Sequence, residues 1–167
     1  DISFSSDKVA VINIQGPIFL GSEGMGATSA DTAIQLIREA RRSEEVVAIV
    51  VRVDSPGGSA FASEMIRLEL ELAQIDGIPV VASFASVAAS GGYWLSATSD
   101  YIFAEPNTVT GSIGVFSVLF TAERAASNIG IQTDGVATTP FSQVDPFTKP
   151  NPQLSEALQL SVEHGYN

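Results

Sequence analysis

Three short apolar runs rich in β-branched residues, at 9–14, 46–53 and 79–84, do most to limit how this chain can fold. Each is bounded by turn residues and lacks polar alternation, the pattern of buried strands in a mainly parallel sheet. Parallel neighbours need a crossover, and the segments between the runs are helical in period. Ile34, Ile37 and Ala40 share one face after a Ser29-Ala30-Asp31 start, and Met65, Leu68 and Leu72 share another before Gly77, a helix stop. Further strands are expected at 101–104 and 131–136. Repeated β-α-β units of this kind, with right-handed crossovers, make an α/β domain.

Two segments carry neither period. Residues 20–28, rich in Gly and Ser, read as a flexible loop. Residues 136–152, holding Pro140, Pro146, Pro150 and Pro152, read as an extended surface arm. Leu154, Leu158 and Val162 return to helical spacing so near the end that the helix reads as cut short. With 45% hydrophobic and 16% charged residues, 167 residues suit one domain with a full core.

Charge narrows the partners. Eight Lys and Arg against nineteen Asp and Glu leave a net charge of −11, a surface that repels phosphate backbones and anionic lipid. Nucleic acid is therefore not an expected partner. The absence of cysteine removes disulfides and thiolate metal ligands. A lone histidine without a carboxylate pattern predicts no metal site, and no cofactor is expected. No apolar run reaches the eighteen or more residues of a membrane span, and no export leader is legible, so a soluble piece of something larger is expected.

The chemistry gathers at two glycine-rich corners. Asp54-Ser55-Pro56-Gly57-Gly58 follows the second apolar run, and Ala88-Ala89-Ser90-Gly91-Gly92-Tyr93-Trp94 follows the third. Ligand sites of open α/β sheets lie at the carboxyl ends of the strands, where both motifs fall. Ser90, between small residues at a strand-to-helix corner, is accessible and sits at the positive end of a helix. Glycine lets the backbone approach closely. The amides of Gly58 and Gly91 could hold a developing oxyanion while Ser90 Oγ attacks a carbonyl. The same spacing also fits a pair of tight turns with close packing.

A nucleophilic serine needs a base, and few are on offer. His164 is the sole histidine, close to the end of the last helical pattern. A lysine with a lowered pKa is the other route. The two lysines are Lys8, ahead of the first strand, and Lys149, in the proline-rich arm. All three read more simply as solvated groups. The chain thus carries a nucleophile without its base.

In order and spacing the motifs resemble the signal peptide peptidase A family of Ser/Lys proteases, which has a ClpP/crotonase-like fold. The likeness covers nearly the whole chain. It runs from Val9-Ala10-Val11-Ile12 through Val50-Val51-Arg52-Val53-Asp54-Ser55-Pro56-Gly57-Gly58, Ala62-Ser63-Glu64 and the stretch around Ser90. It continues into Thr110-Gly111-Ser112-Ile113-Gly114-Val115 and Thr133-Asp134-Gly135-Val136. The resemblance implies that Ser90 is the nucleophile and that the Gly58 and Gly91 amides form the oxyanion hole. In short members the lysine follows a glycine. The matching segment here, Gly135-Val136-Ala137-Thr138-Thr139, has Thr138 or Thr139 instead. In double-length Gram-negative members the amino-terminal half gives the lysine and the carboxyl-terminal half the serine, and this chain resembles the carboxyl-terminal half.

The resemblance implies a single serine-bearing domain over 1–167, inactive without the half that carries its base. It implies apolar signal-peptide substrates and a place on the periplasmic side of the inner membrane. Val87, Tyr93, Trp94, Ile113 and Val115 are the candidate substrate-lining residues, with core packing as the alternative for each. Apolar surface left for the missing half makes a homo-oligomer the expected assembly. A crotonase-like acyl-CoA enzyme would share the fold, but the acidic, Arg-poor surface offers little to a CoA phosphate. A ClpP-type Ser-His-Asp protease would need a histidine between Ser90 and Glu163, and there is none. A non-catalytic domain that binds peptides by strand addition is the third reading.

Overall fold

The computed structural model describes residues 7–21, 26–136, 138–139, 141–142, 145–149 and 151–166. The chain forms two compact units, Asp1–Ile113 and Gly114–Asn167. In chain order the first unit holds β1 (Lys8–Gln15), β2 (Ile18–Phe19), β3 (Thr28–Ser29), α1 (Ala30–Arg42), β4 (Val46–Ser55), α2 (Ala60–Ile75) and β5 (Val80–Ala89). A four-residue helix α3 (Gly91–Trp94), β6 (Tyr101–Phe103) and β7 (Val109–Gly111) follow.

The main sheet is parallel, ordered β1-β4-β5-β6, with β7 pairing the far end of β5. Ile12, Ile14, Ile49, Val51, Val53, Val80, Ala82 and Phe84 turn to one face. They form the core with Ile34 and Ile37 of α1 and Ile66 and Leu70 of α2. Both helices start on a serine cap: Ser29 Oγ accepts from Thr32 N–H, and Ser59 Oγ from Ala62 N–H at 3.2 Å. At the end of α2, Gly77 N–H bonds Gln74 O and Ile78 N–H bonds Ala73 O, with Gly77 at φ +85. That is a Schellman stop at the glycine the sequence marked. Buried Glu69 of α2 joins the helices by pairing with Arg38 and Arg41 of α1.

Several expectations are corrected. The helix over 60–75 has the right period, but Ala62, Ile66, Leu70 and Ala73 face the sheet while Leu68 and Leu72 are exposed. The helix is apolar around much of its girth, and the two alanines let it approach the sheet closely. The strands are not covered on both faces within this unit, because α1 and α2 lie on the same side. Val11 is left 61% exposed and Tyr101 66%. Residues 131–136 form no strand: only Ile131 and Val136 of the stretch are apolar, and Thr133 Oγ1 donates to the Asp145 carboxylate in place of any ladder. Thr28, at the end of the expected loop, pairs instead with Ile18 in a short parallel bridge, and residues 22–25 lie outside the described residues.

The second unit is described by itself. It holds α4 (Glu123–Asn128) and α5 (Pro152–Tyr166). Asn151 Oδ1 accepts from Gln153 N–H at 2.9 Å, so Pro152 stands at the first helical position, where a missing N–H costs nothing. Leu154, Leu158 and Val162 form the less exposed stripe of α5. The expected extended arm instead bends into turns where it is described: Ser142 N–H bonds Thr139 O, and Asp145 Oδ1 accepts from Phe147 N–H. Ala137, Pro140, Gln143, Val144 and Pro150 of that arm lie outside the described residues.

Candidate active site

β4 and β5 run parallel and end together, so the two glycine-rich corners emerge at one edge of the sheet. At the first corner, buried Ser55 Oγ accepts from Gly57 N–H at 3.1 Å, and Gly57 adopts φ +99. A Cβ on Gly57 would lie 2.6 Å from Gly91 N and 2.7 Å from Ser90 Cβ. A Cβ on Gly58 would lie 2.2 Å from Ile18 O. One on Gly91 would meet Ser63 Oγ at 2.3 Å and Gly58 N at 3.3 Å. The corners therefore press backbone against backbone, and side chains there are excluded by contact.

The second corner turns at Ser90, with φ 50 and ψ −120. A positive φ is uncommon for a residue with a side chain and costs about 1–3 kcal/mol when the surroundings enforce it. Here Ser90 N–H is tied to Gly111 O of β7 at 2.9 Å, and Ser90 O accepts from Trp94 N–H at 2.8 Å. Ser90 remains partly exposed, and its hydroxyl does not cap α3. A sharp strand-to-helix turn that lifts a serine clear of the sheet is the geometry of a nucleophile elbow.

Among the described residues, two amides near that turn, those of Gly58 and Gly91, have no hydrogen-bond acceptor. Gly91 begins α3, so its N–H has no partner within the helix. The bridge between Ile18 and the first corner uses Gly57 O and Ser59 N–H, which leaves Gly58 N–H directed away from it. The arrangement can thus present one hydroxyl and two donors to a carbonyl carbon and its oxygen.

The remaining candidates divide. Val87 lies on β5 opposite Val109, partly buried, with its N–H held by Asp54 Oδ1 at 3.1 Å. Tyr93 packs on the core with its ring 6.3 Å from that of Phe84. Trp94 Nε1 donates to Glu64 Oε2 at 2.7 Å. Ile113 is exposed just past β7, and Val115 belongs to the second unit. There Val115, Phe116, Ser117 and Leu119 line a cavity of about 390 Å³ with Leu158 and Val162 of α5.

Apart from Asp54, the charged groups nearest the corners flank them on α2. Arg67 forks onto Glu64 with Nε and Nη2 each at 2.8 Å and reaches Glu71 at 3.1 Å. The guanidinium holds the Glu64 carboxyl below its ordinary value; burial opposes this and the Trp94 indole adds to it. Lys8 pairs with Glu45 at the start of β1, the opposite edge of the sheet from Ser90. Eight residues of strand at ~3.3 Å each separate those edges. The first unit holds no other lysine and no histidine. Lys149, His164, Thr138 and Thr139 belong to the second unit. Among the described residues, no group of three His, Asp or Glu side chains is placed to hold a metal.

Sequence reading named two parts of this site only within the Thr110–Val115 motif and gave them no role. One is β7, whose Gly111 carbonyl anchors Ser90. The other is Ser112, exposed beside that carbonyl and also at φ 50.

Known proteins are similar to this chain. Protease 4 of Salmonella typhi is 48% identical over 158 residues, covering 95% of this chain and 26% of that protein. Protease 4 of Haemophilus influenzae is 44% identical over 161 residues, covering 96% and 26%. The chloroplastic serine protease SPPA of Arabidopsis thaliana is 34% identical, covering 96% and 24%. The chain spans about a quarter of the length of these relatives. Among solved structures, a membrane-bound stomatin-specific protease, 1510-N, superposes with a TM-score of 0.51 at 25% identity, covering 71% of this chain and 52% of that one. The family model for peptidase family S49 matches residues 73–167, which take in Ser90, Gly91 and the strand behind them. The chain belongs to peptidase family S49.

Proposed function

We propose that this chain is the serine-bearing part of an endopeptidase that cleaves signal peptides with a Ser/Lys dyad. The observation that carries the reading is Ser90, partly exposed and held at φ 50 at a turn that meets the Gly57-Gly58 corner, where the Gly58 and Gly91 amides have no acceptor among the described residues. A lysine amine takes the proton from Ser90 Oγ, and the oxygen attacks the peptide carbonyl. The Gly58 and Gly91 amides take the oxyanion, a contribution of roughly 3–4 kcal/mol for one donor in other proteases. Collapse passes the proton to the departing amine, and water then hydrolyses the ester on Ser90.

The lysine comes from outside the first unit, because Lys8 sits at the wrong edge of the sheet. We take it from the amino-terminal half of a longer protein, in which residues 1–167 form one catalytic domain of the carboxyl-terminal half. The length of the relatives supports this reading. Apolar signal peptides are the substrate class, and the periplasmic side of the inner membrane is the location. Among the described residues, no helix is long and apolar enough to cross a membrane. Val87 and Ile113 are the side chains of the first unit best placed to meet an apolar substrate.

The test is turnover of a leucine-rich signal-like peptide by this chain, by the full-length protein, and by the Ser90→Ala form of each. Activity is expected in the full-length protein alone, and Ser90→Ala abolishes it. Turnover that survives Ser90→Ala overturns the serine assignment. Ser90-dependent turnover by the chain alone overturns the external base and makes Lys149 the candidate.

A further inference from the structure

The nucleophile and one oxyanion donor stand on different helices from the second donor, and something must hold the two in register. Gly58 leads through the Ser59 cap into α2, whereas Ser90 and Gly91 open α3. Helix α3 is a single turn, far too short to be stable alone. Its last residue, Trp94, reaches across to α2 and donates its indole N–H to Glu64 Oε2 at 2.7 Å. Arg67 fixes that carboxylate from its own helix with a two-pronged contact, so the acceptor does not swing. At its other end, the Trp94 backbone N–H bonds Ser90 O at 2.8 Å.

The chain of contacts therefore closes a ring: Gly58, Ser59, α2, Glu64, the Trp94 indole, α3, Gly91 and back to Gly58. We infer that the Glu64–Trp94 hydrogen bond is a brace that sets the position of the serine turn against the glycine turn, which makes Glu64 and Trp94 positioning residues. The inference rests on the assignment of Ser90 as nucleophile. The brace acts on the gap between Oγ and the two amides and leaves substrate binding alone. An error of ~1 Å in such a gap costs on the order of a hundredfold in rate.

The experiment uses the full-length protein and its Trp94→Phe, Glu64→Ala and Glu64→Gln variants. Readouts are kcat and KM on an apolar peptide, and affinity for a peptide boronate that forms a tetrahedral adduct on serine. Trp94→Phe and Glu64→Ala are expected to lower kcat by about 10–100-fold, with KM within about threefold of the parent, and to weaken the boronate by a similar factor. Glu64→Gln keeps an oxygen for the indole and restores most of the rate. The double variant is no slower than either single one, since the two residues act as one unit.

Trp94→Phe with unchanged kcat and boronate affinity overturns the brace. So does a raised KM at unchanged kcat, which makes the indole a substrate contact instead. Should Glu64→Ala fail to fold, Trp94→Phe, which keeps an aromatic ring in place, settles the matter. Ser90→Ala in the same protein separates the two ideas. Activity persisting there removes the serine reading, while Ser90-dependent activity indifferent to Trp94 removes the brace alone.

Discussion

At Gly91 an added methyl would meet Ser63 Oγ at 2.3 Å, and that hydroxyl is buried and committed to Ser59 O at 3.0 Å. Gly91→Ala should therefore lower unfolding free energy by about 1–3 kcal/mol, the usual range for overpacking. Without the hydroxyl, the next atoms are Gly58 N at 3.3 Å and Gly57 Cα at 3.4 Å, a tight but tolerable fit. Ser63→Ala/Gly91→Ala is thus expected to be more stable than the sum of the single changes allows, as measured by urea unfolding. Additive losses would mean that the clash is with backbone. Gly57 has no such rescue, because its positive φ and its contact with Gly91 N are both backbone constraints. Ser90 is the counterpart: a residue with a side chain holds an unfavourable φ because a β7 carbonyl and its own helix grip it from both sides.

Among the elements, α2 has the most to hold, since it carries the Ser59 cap, buried Glu69 and the Glu64–Arg67 pair. The Glu64 carboxyl is lowered in the folded chain, first by the Arg67 contact, from an ordinary value of 4.5. Such a group contributes stability that is complete above its unfolded value and is lost as pH falls from about 4.5 through the lower folded value. Glu64→Gln should therefore leave the neutral-to-mildly acidic range little changed in shape and flatten the decline below pH 4.5. Denaturant unfolding at a series of pH values reads this directly. An acid limb as steep as the parent's would mean that other carboxylates dominate the decline.

For the whole molecule, the open face of the first unit's sheet is the notable surface. Val9, Val11, Tyr101 and Phe103 stay exposed on a parallel sheet, a kind of sheet that is usually covered on both sides. Such apolar area favours self-association of the chain taken alone. Sedimentation should show an average mass that rises with concentration, and Val11→Lys or Phe103→Lys should shift it toward the monomer. A monomer at all concentrations would overturn the homo-oligomer expected from the sequence. The net charge of −11 opposes association at low salt, so the effect should strengthen as salt screens it.

The sequence by itself determined the helix periods, the serine start of α1, the stop at Gly77, and both glycine corners at the strand ends. All of these are local: a period, a cap or a turn needs only near neighbours along the chain. It also marked Ser90 as an accessible serine at a strand-to-helix corner. Tertiary structure decided which face of α2 turns inward, because Met65, Leu68 and Leu72 are as apolar as Ile66 and Leu70, and only the sheet chooses between them. It decided that residues 131–136 remain unpaired while Val109–Gly111 pairs with β5. It decided that Gly57, Gly58 and Gly91 touch, that Ser90 sits at φ 50, and that Trp94 meets Glu64 rather than open space. Each of these joins residues some thirty positions apart or joins separate strands, and such contacts follow from how the elements pack, which no local pattern encodes.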